Sequence, residues 1–261
     1  MTQRFVELVA HPDPPLDELA LLVAAHARPG LDVATHRSRL DDLAERFTAS
    51  GGGDATALRR WLAGPEGFGP NLDDYYDPDN SMLDQVLERR VGIPITLAVV
   101  MIEVGRRCGI DLVGVSMPGE FLVRERHRPP GRPRFHNLFR GTAMGTEEAR
   151  ALFVALHGPG PRFDPALLVD VGPVEVVARM LANLVAIAAR RRDHHLAGWA
   201  LQLRTALPGS PPAEQRSLAG VLEGQGRFWA AAEVLERLAE RDPAGAARHR
   251  ADAARLRSGL N

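Results

Sequence analysis

The residues able to do chemistry gather between positions 71 and 124. Cys108 is the one thiol in a chain of 261 residues, Thr96 and Ser116 offer hydroxyls, and Glu120 stands alone between Gly119 and Phe121. Hydrolysis or acyl transfer needs such a nucleophile beside an activating base. Cys108 closes an apolar run rather than opening it, so a helix dipole there opposes its thiolate, with Arg106 and Arg107 as the only offset. It reads as a small structural side chain more than as a reagent. Glu120 can act as a base, hold an Arg side chain, or solvate a strand edge. Glu88, Arg89 and Arg90 end the preceding apolar segment and either line the same cleft or form surface ion pairs. Tyr75, Tyr76, Asp77, Asp79 and Asn80 make a polar aromatic loop. It lacks the alternating ligands and closing Glu of an EF-hand, so no metal is expected. Asp77 and Asn80 are expected to satisfy backbone donors in a tight loop beside the cleft.

These groups need elements to hold them. Leucines at three- and four-residue spacing predict a helix over 15–27, after Pro14 and before Pro29-Gly30. Further helices follow at 32–48 and 55–63, joined by the glycine-rich 50–54. Ser81 is expected to cap a helix at 82–90. Gly92 and Pro94 break it, and a largely buried helix runs over 95–108. LVGVSM at 112–117 and FLVR at 121–124 read as strands, and RFHNLFRG at 134–141 as a strand and turn. The basic, proline-rich 125–134 reads as an exposed loop, and 145–156 and 164–170 as small helices or turns.

From Val174 the pattern is helical. Segments 174–191 and 194–206, then 213–225 and 228–240, have the length and punctuation of paired hairpins, with a last helix at 244–257. Trp199, Phe228 and Trp229 are expected to pack in that array. His194 and His195 are neighbours that point in different directions on a helix, which disfavours joint ligation of one ion.

Composition excludes several classes. Lys plus Arg total 32 and Asp plus Glu 33, and aromatics are only 5%, so a nucleic-acid interface is disfavoured. A single cysteine rules out an internal disulfide and a multi-cysteine metal cluster. The opening MTQRFVELVAHPDPP has no apolar signal core, and no apolar run approaches the roughly 20 residues of a membrane span. A cytoplasmic protein without cofactor is expected, and no oligomeric state is assigned.

The stretch NLDDYYDPDNSMLDQVLERRVGIPITLAVVMIEVGRRCGIDLVGVSMPGEFLVR closely resembles the SirB1-like family, and the helical text on either side extends the likeness over roughly residues 10–250. The resemblance implies an α+β fold: a transglutaminase-like (papain-like) domain over 1–172 with leading helices, and tetratricopeptide-like repeat hairpins over 173–261. Related enzymes use a Cys-His-Asp set. On those positions the chain carries Pro94, Glu120 and Asn137. Proline cannot attack a carbonyl, Glu120 has no evident nucleophile to activate, and Asn137 supplies no acidic charge.

The resulting expectation is a non-catalytic transglutaminase-like protein that binds a peptide or protein through its cleft, its helical repeats or both. The alternative is a peptide amide hydrolase or acyl transferase with a displaced set drawn from Thr96, Ser116, Cys108 and Glu120. It requires a thiol or hydroxyl within hydrogen-bond reach of a base.

Overall fold

The structure is a computed structural model that describes residues 2–126, 133–158 and 160–258. The expected basic loop falls partly on residues 127–132, outside the described residues. The chain divides into two compact units. One comprises His11–Met180, and the other Thr2–Ala10 with Leu181–Asn261.

In the first unit, α2 (Leu16–Ala27), α3 (Val33–Ala49) and α4 (Ala55–Ala63) come first; α1 (Thr2–Val9) belongs to the other unit. Asp32 and Asp54 cap α3 and α4 by accepting from Ala34 N at 3.0 Å and Ala57 N at 2.9 Å. A 3-10 turn at Pro78–Ser81 leads into α5 (Leu83–Arg89), and α6 (Pro94–Arg107) follows. Ser81 therefore does not cap α5. It closes the turn and is buried, and Met82 holds the N-cap without a side-chain bond. A short parallel pair, β1 (Gly69–Pro70) with β2 (Val91–Gly92), ties the approach of the polar loop to the entry of α6.

α6 is the axis of this unit. Every residue from Ile95 to Gly105 is buried. Leu97, Val100, Met101 and Val104 are fully enclosed, and burying each such side chain contributes about 1.5–3 kcal/mol. Pro94 sits at the first helical position, where a missing N–H costs nothing. The helix packs on α3, α5 and an antiparallel sheet of β3 (Leu112–Val115), β4 (Leu122–Glu125), β5 (Phe135–Asn137), β6 (Thr142–Met144) and β7 (Asp170–Val171). The strand order is β6-β5-β4-β3-β7. Val115, Met117, Leu122, Phe135, Met144 and Phe153 form a smaller core under α7 (Thr146–His157). Residues 164–170 resolve into a 3-10 turn at Pro165–Leu168 and the start of β7.

α8 (Pro173–Arg191) contributes to both units. The second unit continues with α9 (His194–Thr205), α10 (Pro212–Gly224), α11 (Phe228–Arg241) and α12 (Ala246–Ser258), each packed on the next. Leu201, Leu218, Leu222, Leu235 and Leu256 share its core. Trp199 is buried as expected, but Trp229 is 58% exposed, with the Arg257 guanidinium 4.8 Å over its ring. Its position at the start of α11 turns it outward, so it is not core. Among the described residues no helix is long and apolar enough to cross a membrane.

Candidate functional site

The polar loop is fastened to the start of α6 through one buried asparagine. Asn80 Nδ2 donates to the carbonyls of Asp74 at 2.8 Å and Tyr75 at 3.3 Å, and its Oδ1 accepts from Asn71 at 3.0 Å. Asn80 thus serves carbonyls, not the backbone donors expected of it. Asp77 does accept from a backbone donor, Asp79 N, at 3.0 Å. The Asn80 carbonyl accepts the Thr96 hydroxyl at 2.6 Å, and the same Thr96 oxygen accepts from Ile93 N at 3.2 Å. Thr96 is therefore a clasp between the loop and the first turn of the helix.

Glu120 lies in the loop between β3 and β4. Its N–H donates to the Met117 carbonyl at 3.1 Å, and Gly119 takes φ +75°, a left-handed conformation that favours glycine. The Glu120 side chain is 1% exposed and accepts from Arg140 Nε at 2.7 Å. Asn137, at the end of β5, organises the turn that carries Arg140: its Oδ1 accepts from Arg140 N at 2.9 Å. Arg59 of α4 donates to the Gly141 carbonyl and anchors the far side of that turn. Asn137 is 1% exposed, and its Nδ2 has no acceptor among the described residues. His136, beside it on β5, is fully buried.

Tyr75 joins these groups. Its ring lies edge-on to Tyr76 at 5.3 Å and to Phe139 at 6.2 Å. Burial raises the Tyr75 phenol above its ordinary value, the Glu120 charge adds to the rise, and Arg179 and Arg140 oppose it. The loop, the Glu120–Arg140 pair and Arg179 of α8 therefore share one electrostatic neighbourhood. Arg179 Nη1 donates to Ser116 Oγ at 2.6 Å and the Met117 carbonyl at 3.0 Å, and its guanidinium lies 5.7 Å from the centre of the Phe121 ring. Burial lowers its pKa from the usual arginine value, against the pull of Glu120 and Tyr75.

The remaining candidates lie apart in their contacts. Arg89 pairs with Asp77 at 2.8 Å and braces the loop from outside. Arg90 pairs with Glu66 at 3.0 Å and stacks 4.7 Å from Phe68, and Glu88 is exposed. Cys108 caps the far end of α6, with Sγ 3.7 Å from the Ala44 carbonyl and 4.0 Å from the Thr48 hydroxyl. Among the described residues, the hydrogen bonds of Thr96, Ser116 and Cys108 run to other groups than Glu120 or a histidine. No cluster of His, Cys, Asp and Glu among the described residues has the make-up of a metal site.

A separate groove of about 560 Å³ is lined by Arg37, Glu103, Arg106, Arg126, Leu112 and Val176 among others. Pro94, Glu120 and Asn137 take no part in it. Its charges are structural. Asp17 and Glu103, both buried, share Arg107 at 2.6 and 2.7 Å, and Arg37 reaches Asp17 at 3.1 Å. Burial opposes ionisation of Asp17, yet Arg107 and Arg37 outweigh it and hold the carboxyl below its usual range. Burial and the neighbouring Asp17 push Glu103 up.

Two arginines of the site were not singled out in the sequence. Arg140 stood in the quoted strand-and-turn text, three residues after Asn137. Arg179 carried no signal, because it lies in a helix whose periodicity reports only its apolar face.

Residues 34–182, the stretch holding α6, the sheet, the polar loop, Glu120, Asn137, Arg140 and Arg179, match a family described as transglutaminase-like superfamily. The chain belongs to that superfamily. Similar proteins within reach of this transglutaminase-like chain include a UPF0162 protein of Pseudomonas aeruginosa, 32% identical over 201 residues, which are 75% of this chain and 71% of that protein. A UPF0162 protein of Xylella fastidiosa is 44% identical over 116 residues, 42% of this chain. The match spans only 41% of the Xylella protein's length. F-box only protein 21 of Homo sapiens is 29% identical over 130 residues, 47% of this chain and 20% of that protein. No solved structure matches the chain.

Proposed function

We propose that the protein is a non-catalytic transglutaminase-like protein that binds a peptide or protein segment over the cleft of Tyr75, Glu120, Asn137 and Arg140. The observation that carries this reading is the Glu120–Arg140 pair. At the position where a related enzyme holds its base, this chain has a buried carboxylate committed to a guanidinium at 2.7 Å. The hydrogen bonds of Thr96, Ser116 and Cys108 run to groups other than this carboxylate, and Pro94 at the head of α6 has no proton to give. The turn that an orienting aspartate would serve is instead capped by the Asn137 amide.

The finer family assignment, a SirB1-like protein with tetratricopeptide-type hairpins over 173–261 in a cytoplasmic setting, belongs to the same proposal. The serial packing of α9 through α12 supports it. Stacked helical hairpins of this kind are able to take a partner in their own right. The test pairs a sensitive assay of amide and ester turnover with capture of a cellular partner by the full chain. Binding without product supports the reading, and turnover abolished by one cleft substitution defeats it.

A further inference from the structure

Glu120, Arg140 and Arg179 lie near Tyr75, and Asp73 and Asp74 are exposed on the rim loop. Glu120 is neutralised by Arg140. Arg179 is half-buried, and among the described residues its hydrogen bonds go to neutral acceptors, the Ser116 hydroxyl and the Met117 carbonyl. Both of those bonds leave from Nη1. The Nε–H and Nη2–H edge, the side-on fork that matches the two oxygens of a carboxylate, remains uncommitted among the described residues. Phe121 lies beside the guanidinium, its ring centre 5.7 Å away. A guanidinium kept half out of water, with no carboxylate of its own, is a receptor for one supplied from outside.

The rim supplies the other half of the chemistry. Tyr75 is 47% exposed, Tyr76 42% and Leu72 87%, on a loop that Asn80 and Thr96 hold rigid. Exposed aromatic and aliphatic groups on a fixed loop bury apolar area at small entropic cost.

We infer that the cleft takes an acidic peptide segment: the carboxylate of a Glu or Asp side chain meets the open fork of Arg179 while a neighbouring apolar side chain lies on Tyr75 and Tyr76. A phosphodiester chain fits less well, because Arg179 alone cannot neutralise successive phosphates and the chain as a whole carries a formal charge of −1. The inference deepens the proposed function and rests on its claim that the cleft binds peptide.

The test uses the full chain and two libraries of N-acetylated, C-amidated nonapeptides, so that the only carboxylates are on side chains. Both libraries hold one Leu or Phe, the first with a central Glu and the second with a central Gln. Retention by the protein is read by ultrafiltration and mass spectrometry. A charge-assisted, two-pronged contact predicts retention of Glu peptides about ten- to a hundredfold over their Gln partners. Arg179→Met abolishes that preference, and Arg179→Lys, which keeps the charge but not the fork, restores only part of it. The Glu-to-Gln comparison leaves the protein untouched, so it stands even if an Arg179 variant folds poorly. Equal retention of both libraries, or a preference that survives Arg179→Met, overturns the inference and leaves peptide binding intact. Retention of neither overturns the inference and removes the peptide reading of the cleft with it.

Discussion

Removing the Arg140 guanidinium strands a carboxylate in the transglutaminase-like unit. Glu120 is 1% exposed, and among the described residues its ionic partner is Arg140 and its carboxylate also takes a weak bond of 3.3 Å from Phe121 N. Breaking a buried pair from one side costs about 3–5 kcal/mol. Arg140 is itself 40% exposed, so water can enter the space it leaves, and the lower end, about 3 kcal/mol, applies to Arg140→Met. For a unit of this size each kcal/mol moves Tm by about 2–4 °C, which gives a fall of about 6–12 °C by calorimetry at neutral pH. The double variant Glu120→Gln, Arg140→Met removes the stranded charge and regains most of the loss, because a neutral amide needs no counter-ion. If Arg140→Met melts within about 1 °C of the parent, or the added Glu120→Gln restores nothing, Glu120 is not a buried ion committed to Arg140.

Thr96→Val removes the hydroxyl that bridges the Asn80 carbonyl and Ile93 N–H and leaves them their mutual 3.4 Å bond, at about 1 kcal/mol; amide exchange over 71–80 should quicken while the centre of α6 stays protected. Gly119→Ala forces φ +75° on a side-chain-bearing residue and brings a Cβ to 3.0 Å from the His157 ring, so a loss of about 1–2 kcal/mol by urea titration is expected. The Asp17–Glu103 pair predicts opposite pH dependences. Asp17 has a depressed folded pKa, so its stabilisation is present above its unfolded value of about 3.9 and lost as pH falls further. The deficit of Asp17→Asn should therefore shrink in acid. Glu103 has a raised folded pKa, so its contribution is present below its unfolded value of about 4.3 and lost as pH rises through the folded one. Glu103→Gln should accordingly gain on the parent as pH rises above about 4.3, and a flat difference in either series contradicts the assignment.

The helices were legible where periodicity and punctuation agree. The segment expected over 15–27 is Leu16–Ala27, and that over 95–108 is Pro94–Arg107. Elements made by partners distant in the chain were not. β1 and β2 are two residues each and exist because Gly69 N reaches the Arg90 carbonyl, and β7 is a strand only where Val171 and Asp170 meet β3. Asp17 lies in the first turn of α2 with no local sign of burial, yet it is enclosed by arginines that include Arg107, ninety positions away. The loop around Tyr75, the helix start at Pro94 and the turn at Glu120 could be named from residue type and resemblance. What those residues do depends on Arg140 and Arg179, and a long-range ion pair or an uncommitted guanidinium leaves no local pattern. Ser81 was misplaced for a related reason: a 3-10 turn inserts before α5 and absorbs the residue that local capping rules favour.

The proposed function requires a cleft of this fold that has kept its frame and given up its nucleophile. Its most direct measurement is a covalent one. The full chain is incubated with activated peptide esters and with electrophiles selective for thiols and hydroxyls, and each modified residue is located by mass spectrometry, with Glu120→Gln as the control. The account predicts no acyl adduct at Thr96 or Ser116, and only slow alkylation of Cys108 that Glu120→Gln leaves unchanged. A rapid, stoichiometric adduct at any of the three, lost in Glu120→Gln, would contradict it.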